Sequence, residues 1–496
     1  MRYLFTSRQS KQLDDHAINI IGFPGLVLME KAAMTLVSVL MERESRDSGI
    51  LIVCGSGNNG GDGLAAARML HQHGFRTAVV LVGDPDKMTP DARKQLALAA
   101  ACDVPVMSEE TVYSPVYSIL VDSLFGVGLS RNIGGVYEKV IQDINASGKK
   151  IYAVDIPSGI NGDDGRVMNV AVRADITVTF GVNKLGLVLY PGCQYAGEVI
   201  IGDIGYPRTS YEAVENPVFY FEPEDLPAIL PERVPDGHKG SFGHVAVIGG
   251  SSKMSGAALL SAKAAYASGA GLVMICSARV NRDLLLAGCP EALFEAYEGD
   301  DGELDLMALE RVLSFADAVV IGPGLGREEK AKKITAYVLK NCNKPIIMDG
   351  DALLLCSRED LKEQDSDSII LTPHPKEFSV LSHQEISYLK EHLGETVRQF
   401  AAETGCIIVG KDARTIVGDG SRQYVNVSGN SGMGTGGSGD ALTGIIAGFA
   451  AQGKPLFDAA AAGVYVHGLA GDYYSETYNP YSLTASALID SLKNIL

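Results

Sequence analysis

Several things are missing from this sequence, and each absence narrows what the chain can be. No apolar run approaches the ~20 residues that a membrane-spanning helix requires. The opening stretch Met1-Arg2-Tyr3-Leu4-Phe5-Thr6-Ser7 lacks the apolar core of a signal peptide, so a cytoplasmic protein is expected. Positive charge is the scarcer sign: 42 Lys and Arg stand against 60 Asp and Glu, a net charge of -18. Without clustered cations the counterion release that drives binding to nucleic acid or anionic membranes has no source, and neither partner is expected. The eight cysteines (Cys54, Cys102, Cys193, Cys276, Cys289, Cys342, Cys356, Cys406) form no C-x-x-C pair and no zinc spacing, and read as reduced thiols. Tandem repeats, coiled-coil heptads and low-complexity tracts are absent too.

What is present is a well-packed globular composition, 46% hydrophobic with 56 glycines, over 496 residues. That length suits two α/β-sized domains rather than one core. Helical patterns at Ser7 to Ile20 and Pro24 to Glu42 come first. Short β-rich runs then follow at 50–54, 77–82, 118–121, 150–154 and 176–180, separated by helix-length stretches. That alternation predicts a parallel, doubly wound, Rossmann-like three-layer domain. Prolines 207, 217, 223, 227, 231 and 235 mark a connector. The alternation restarts at 244–248 and continues through 271–276, 318–321, 345–348, 369–371 and 406–409, with helix from Asp440 onward, predicting a second α/β/α domain. The expected division is 1–215, a linker at 216–230, and 231–496.

Two glycine-rich segments carry the chemistry, Gly57-Asn58-Asn59-Gly60-Gly61-Asp62-Gly63 and Gly434-Thr435-Gly436-Gly437-Ser438-Gly439-Asp440. Each precedes a helix, expected at Leu64 to His73 and at Ala441 to Ala451, so backbone N–H groups and a helix N-terminus would face an anionic ligand. The first departs from G-x-G-x-x-G through its Asn pair and Asp62; taken alone it suits either a ligand amide or bare cation, or a capped turn. Asp122 and Asp155 each end an apolar strand, where open α/β sheets bind ligands, and three such strand ends in one domain favour a site.

The segments Gly57–Arg68, Val121–Leu129, Val154–Gly159 and Ala174–Gly181, with Leu28-Met29-Glu30 upstream, resemble the NAD(P)HX epimerase domain over about residues 1–215. The resemblance implies a substrate that is a hydrated nicotinamide cofactor, inverted at the C6 hydroxyl, and a potassium ion in the site. It further implies substrate contacts from Asn58, Asn59, Gly60, Gly61 and Asp62 and from Gly126, Val127, Gly128, Leu129, Ser130, Arg131 and Asn132. Asn59, Asp122 and Ser158 would be potassium ligands and Asp155 the acid/base. Asn183 before Lys184 departs from the family's usual proline.

In the second half, small residues around Gly439 can form a nest of N–H groups around a transferring phosphoryl group, with Asp440 placed to take the attacking hydroxyl's proton. The Gly-Lys-Ser/Thr of a Walker A loop is absent. With Gly249-Gly250-Ser251, Gly322–Gly326, Asp349-Gly350-Asp351, Leu371–Glu377 and Lys411–Thr415 in order, the segment resembles the ribokinase-like NAD(P)HX dehydratase domain over about 230–490. The resemblance implies substrate contacts from Ala257, Gly324, His374 and Asp440, nucleotide contacts from Lys411, Asp412, Ala413, Arg414, Thr415 and Gly439, and Asp440 as catalytic base. Asp412 and Lys376 stand where the family often has glycine.

Together the two resemblances imply a bifunctional repair enzyme that epimerises NADHX and NADPHX and dehydrates the S form with ADP as co-substrate, a Mg2+ ion assisting. Small-molecule partners and a homo-oligomer are expected. A ribokinase-like vitamin-precursor kinase with a regulatory first domain, or a non-catalytic nucleotide sensor, are the competing readings; the first would accumulate a phosphorylated product and the second would bind without turnover.

Overall fold

The structure, a computed structural model, describes residues 2–364 and 368–496. Contacts divide it into two compact units, Tyr3–Val218 and Phe219–Leu496, the latter with Arg2.

The first unit is built on a seven-stranded sheet among the described residues. Its order is Val106–Met107, Arg76–Leu81, Gly49–Cys54, Ile119–Ser123, Lys150–Val154, Ile176–Phe180 and Glu198–Gly202, and every neighbouring pair is parallel. The central strand Gly49–Cys54 is buried at every position, as a parallel strand covered on both faces must be. Helices Gly25–Arg43, Asn58–Gln72 and Pro90–Ala101 pack one face through Leu36, Leu40, Leu64 and Leu70. Helix Val136–Ala146 covers the other through Val140, Ile141 and Ile144. Chain order reverses between Gly49–Cys54 and Ile119–Ser123, so the crevice at the carboxyl ends of these strands is the topological switch point.

The second unit repeats the plan. Strands Leu293–Ala296, Leu272–Ser277, His244–Ile248, Ala318–Ile321, Ile346–Met348, Ile369–Leu371 and Ile407–Gly410 lie parallel in that order. An antiparallel hairpin, Ile416–Gly418 and Gln423–Val425, extends the sheet. Its switch point falls between His244–Ile248 and Ala318–Ile321. Helices Ser255–Ala267, Ser438–Ala451 and Leu456–Thr477 share one core with this sheet, among them Ala262, Ile445, Phe449 and Val466. Among the described residues no helix is long and apolar enough to cross a membrane.

Both glycine-rich segments differ from expectation in one respect: helix begins inside them, over nearly all of the first and over the last three residues of the second. Helix Asn58–Gln72 starts six residues before the expected Leu64, and helix Ser438–Ala451 starts three before Ala441. Glycine disfavours helix by ~1 kcal/mol per residue, but tertiary packing reverses the preference. A Cβ on Gly60 would lie 1.9 Å from the Gly55 carbonyl oxygen, one on Gly61 2.6 Å from Met29 Cε, and one on Gly63 2.4 Å from Ser123 Oγ. These glycines let a helix press against strand ends and a neighbouring helix. The first expected helix also divides, into Ser7–Asp15 and a π-turn at His16–Ile20.

Candidate active sites

In the first unit the crevice is assembled from the ends of three adjacent strands. After Val154 the backbone turns through Asp155, whose φ of +68° is unusual for a residue other than glycine. Such a conformation costs ~1–3 kcal/mol and persists where the surroundings enforce it. Here the Asp155 N–H donates to Val178 O at 2.8 Å. Its carboxylate is held on both sides: Oδ1 lies 2.7 Å from Lys184 Nζ, and Oδ2 accepts the Val127 N–H at 3.2 Å. Lys184 is itself buried and also donates to Thr179 Oγ1 and to Phe180 O, at 2.8 and 2.9 Å.

Asp122 ends the neighbouring strand and is fully buried. It accepts from Ser158 Oγ at 2.6 Å, Ser158 N at 2.7 Å and Leu124 N at 3.2 Å. Burial pushes its carboxyl up to about 6, with those hydrogen bonds pulling against it. Asn59, in the first turn of helix Asn58–Gln72, accepts the Ser123 hydroxyl on its backbone carbonyl. Its side-chain Oδ1 and Nδ2 are both buried without a hydrogen-bond partner. A Cβ at Gly126 would stand 2.8 Å from Asp155 Oδ2 and 3.2 Å from Asn59 Oδ1, so glycine there lets the loop lie against both side chains. Burial, with Asp155 and Asp14 adding to it, raises Asp62 well above the usual carboxylate range; burial likewise raises Asp14, whose carboxylate accepts the Tyr206 hydroxyl.

Of the residues expected from sequence, the structure thus gathers Asn59, Gly126, Val127 and Asp155 around one point, with Asp122 and Ser158 bonded to each other alongside. Asn58, Gly60, Gly61 and Asp62 lie in the adjoining helical turns. Gly128 and Leu129 continue the loop, Leu129 N donating to Gly126 O, and Ser130, Arg131 and Asn132 lie exposed farther along it. Sequence reasoning passed over Lys184. It lies 29 residues after Asp155, in a short Asn183–Lys184 strand that carries no glycine or strand-end signal.

The second crevice is likewise made at strand ends. Lys411 follows strand Ile407–Gly410, and its Nζ is 2.8 Å from Oδ1 of Asp349, which follows strand Ile346–Met348. Thr372 donates to the same Oδ1 at 2.6 Å. Burial would raise Asp349, but Lys411 and Thr372 hold it below its usual range. Burial would lower Lys411, but Asp349 and Glu377 hold it above its own. A Cβ on Gly439 would sit 3.2 Å from Lys411 Nζ, which places the ammonium against the first turn of helix Ser438–Ala451. Gly437 caps that helix at φ +88°, a conformation glycine adopts readily. Asp440 lies in the same first turn, and burial with Asp349 nearby lifts its carboxyl to about 7.

His374 is exposed at the start of helix Pro375–Ser382, where its Nδ1 accepts the N–H groups of Lys376 and Glu377 at 3.0 and 3.3 Å. The ring proton is therefore assigned to Nε2, 3.3 Å from Glu377 Oε1. Glu377 accepts the His374 N–H at 2.8 Å, and burial pushes its carboxyl up to about 7. Lys411 N donates to Pro373 O at 3.0 Å, which ties this turn to the lysine. Ala257 and Gly324 meet in another corner, a Gly324 Cβ falling 3.2 Å from Ala257 Cβ. Asp412, Ala413, Arg414 and Thr415 form the turn after Lys411: Asp412 Oδ1 accepts Ala413 N at 2.8 Å, Thr415 Oγ1 donates to Asp412 O at 3.3 Å, and Arg414 donates to Val427 O at 3.1 Å. Fully packed behind the helix start, His467 Nε2 sits 3.0 Å from Ser438 O. Sequence gave no sign of His467, which lies inside an apolar helix. Among the described residues no group of three His, Cys, Asp or Glu is gathered for a metal.

Residues 25–186 match the model described as YjeF-related protein N-terminus, and residues 245–494 match that of NAD(P)H-hydrate dehydratase. A bifunctional NAD(P)H-hydrate repair enzyme of Thermofilum pendens is 37% identical over 98% of this chain and 94% of its own. The chain belongs to the bifunctional NAD(P)H-hydrate repair enzymes. The counterpart in Coxiella burnetii is 34% identical over 99% of both chains. Among solved structures, a ribokinase-like superfamily protein of Enterococcus faecalis matches with TM-score 0.51 and 33% identity, over 56% of this chain and 96% of that one. The ADP/ATP-dependent NAD(P)H-hydrate dehydratase of Bacillus subtilis, co-crystallised with ATP and Mg2+, matches with TM-score 0.50 and 29% identity over 56% and 97%. The second unit of this repair enzyme is accordingly ribokinase-like and the first Rossmann-like, and the family's two activities are NAD(P)HX epimerisation and nucleotide-dependent dehydration.

Proposed function

We propose that the two crevices carry successive steps of one repair. The first interconverts R- and S-NAD(P)HX, and the second dehydrates the S form with ADP, giving NAD(P)H, AMP and phosphate. The observation that carries this reading is the pairing of Asp440 with an anion cradle: a carboxyl whose proton affinity is raised toward neutrality stands in the first helical turn, beside Gly439 and the Lys411 ammonium. Lys411 and the N–H groups at the helix start hold the transferring phosphoryl group, and Asp440 takes the proton of the hydrate's hydroxyl as its oxygen attacks. AMP leaves. The phosphate ester formed is a better leaving group than hydroxide, and the ring nitrogen's electron pair expels it to restore the dihydronicotinamide. A Mg2+ ion bound with the nucleotide would offset the charge of its phosphates. Asp412–Thr415 line the nucleotide; Ala257, Gly324 and His374 position the hydrate.

In the first crevice, inversion at C6 requires a bond at that carbon to break and re-form on its other face: the hydroxyl proton passes to the ring nitrogen as the C6–N bond opens to an aldehyde, and returns to oxygen as the nitrogen re-adds to the other face. Asp155, oriented by Lys184 and the Val127 N–H, is the group placed to move it. Asn58–Asp62 and Gly126–Asn132 enclose the substrate. The residues suit a potassium ion, since Asn59 Oδ1 is a buried oxygen left without a donor, and hard cations take such oxygens. Asn59, Asp122 and Ser158 would hold the ion, which would supply a fixed positive charge for the substrate's oxygens. The test is to mix purified protein with NADHX and ADP, then ATP, and follow the return of dihydronicotinamide absorbance. Recovery with ADP is expected; no recovery with either nucleotide would overturn the reading.

A further inference from the structure

The buried carboxylate of Asp349 has been given no role in binding the hydrate or the nucleotide, yet three neighbours converge on it. Its Oδ1 is shared by Lys411 Nζ at 2.8 Å and Thr372 Oγ1 at 2.6 Å. Its Oδ2 faces the start of helix Ser438–Ala451, 3.9 Å from where a Gly439 Cβ would be. Lysine is a point charge on a flexible four-carbon stem and does not fix its own direction. At this site one carboxylate, itself held by a threonine, sets where that charge stands.

We infer that Asp349 is a positioning residue for dehydration: it fixes Lys411 at the phosphate cradle, and its carboxylate, facing the first turn of helix Ser438–Ala451, sets the charge that Asp440 meets. The inference rests on Asp440 as base and Lys411 as phosphate anchor. The charged groups around Asp440 are Asp349, Lys411 and Glu377, the first and third favouring its protonated form and the second opposing. Helix Ser255–Ala267 presents the neutral Ser261 hydroxyl, which donates to the Asp440 backbone carbonyl at 2.9 Å. Helix Leu456–Thr477 presents His467, which burial drives down to about 4 and so keeps neutral in the working range. Of the charged groups, Asp349 and Lys411 are joined at 2.8 Å, and Glu377 is the third charge that bears on Asp440.

Removing the Asp349 charge therefore lowers the proton affinity of Asp440 twice over, by deleting a repulsion and by leaving Lys411 unopposed. The experiment compares Asp349→Asn and Asp349→Glu with the parent chain, in variants that keep its far-UV spectrum, measuring KM for ADP and kcat/KM of dehydration against pH. For Asp349→Asn the acid limb should move down by about one pH unit, with KM for ADP up about tenfold. Asp349→Glu keeps the charge but displaces the lysine: its acid limb should stay put while KM rises. An Asp349→Asn limb that coincides with the parent's, or identical limbs in the two variants, would overturn the inference. If Asp440→Asn itself still turned over, the assignment of the base would fail instead, so the two failures are separable.

Discussion

Gly126→Ala puts the first crevice to a steric test. No positive φ is required at residue 126, so the backbone accepts alanine. The added methyl would stand 2.8 Å from Asp155 Oδ2, whereas ordinary contacts start at 3.4 Å, so the carboxylate or the loop must give by about 0.6 Å. Asp155 cannot move cheaply, because Lys184 at 2.7 Å and a strained backbone hold it. The loop then shifts, and with it the Val127 N–H that orients Oδ2. Displacements near 1 Å at a reacting group cost ~10²-fold in rate, so a loss of about 30- to 100-fold in epimerase kcat is expected, with stability changed by less than ~1 kcal/mol. The assay is the interconversion of R- and S-NADHX, separated chromatographically, with dehydration of S-NADHX by the same preparation as an internal control. Dehydration should be unchanged. An epimerase rate equal to the parent's would refute the placement of Gly126 beside the reacting carboxylate.

Other substitutions and conditions probe the remaining claims. Asp440→Asn should lower dehydration at least ~10³-fold, within the range lost when an acid–base group is removed, and leave epimerisation intact. In the parent chain, kcat/KM for dehydration should fall tenfold per unit below about pH 7, where Asp440 becomes protonated; a flat profile down to pH 5 would exclude it as base. His467 has a folded-state pKa of about 4 against an ordinary 6.5, so the unfolded chain binds its proton more tightly. The stability it contributes is present above pH 6.5 and is lost as pH falls from there toward 4, an effect on the order of 3 kcal/mol. A His467→Gln chain should show a flatter dependence of its melting temperature over that window. Gly60→Ala drives a Cβ to 1.9 Å from the Gly55 carbonyl oxygen. Backbone cannot yield as a side chain does, so a destabilisation of several kcal/mol is expected, seen as a lower denaturant midpoint.

The parallel sheets were legible in sequence because their strands are short apolar and β-branched runs set between helix-length stretches: Lys150–Val154, Ile176–Phe180, His244–Ile248, Ala318–Ile321 and Ile369–Leu371 fall where the pattern puts them. The edge strands Val106–Met107 and Leu293–Ala296 were not, being short and partly exposed, as was the hairpin at Ile416–Val425. Asp122, Asp155 and Asp440 could be read because each ends a strand or opens a helix, where sequence position and site position coincide. Lys184, Thr372 and His467 could not. Each acts through a long-range contact, Lys184 with Asp155, Thr372 with Asp349 and His467 with Ser438, that no local spacing announces. The glycine-rich segments were found for their composition but read as loops, since local propensity carries no record of the Gly55 carbonyl or the Ser123 hydroxyl that make glycine necessary.

If two sites on one chain serve one repair, an equimolar mixture of R- and S-NADHX with excess ADP separates their contributions. The parent chain should return dihydronicotinamide absorbance for both epimers, Asp155→Asn only for the S form in the enzymatic phase, and Asp440→Asn for neither. Mixing the two variants should restore complete recovery. Complete rapid recovery with Asp155→Asn alone, or recovery at the parent's rate with Asp440→Asn alone, would contradict this reading.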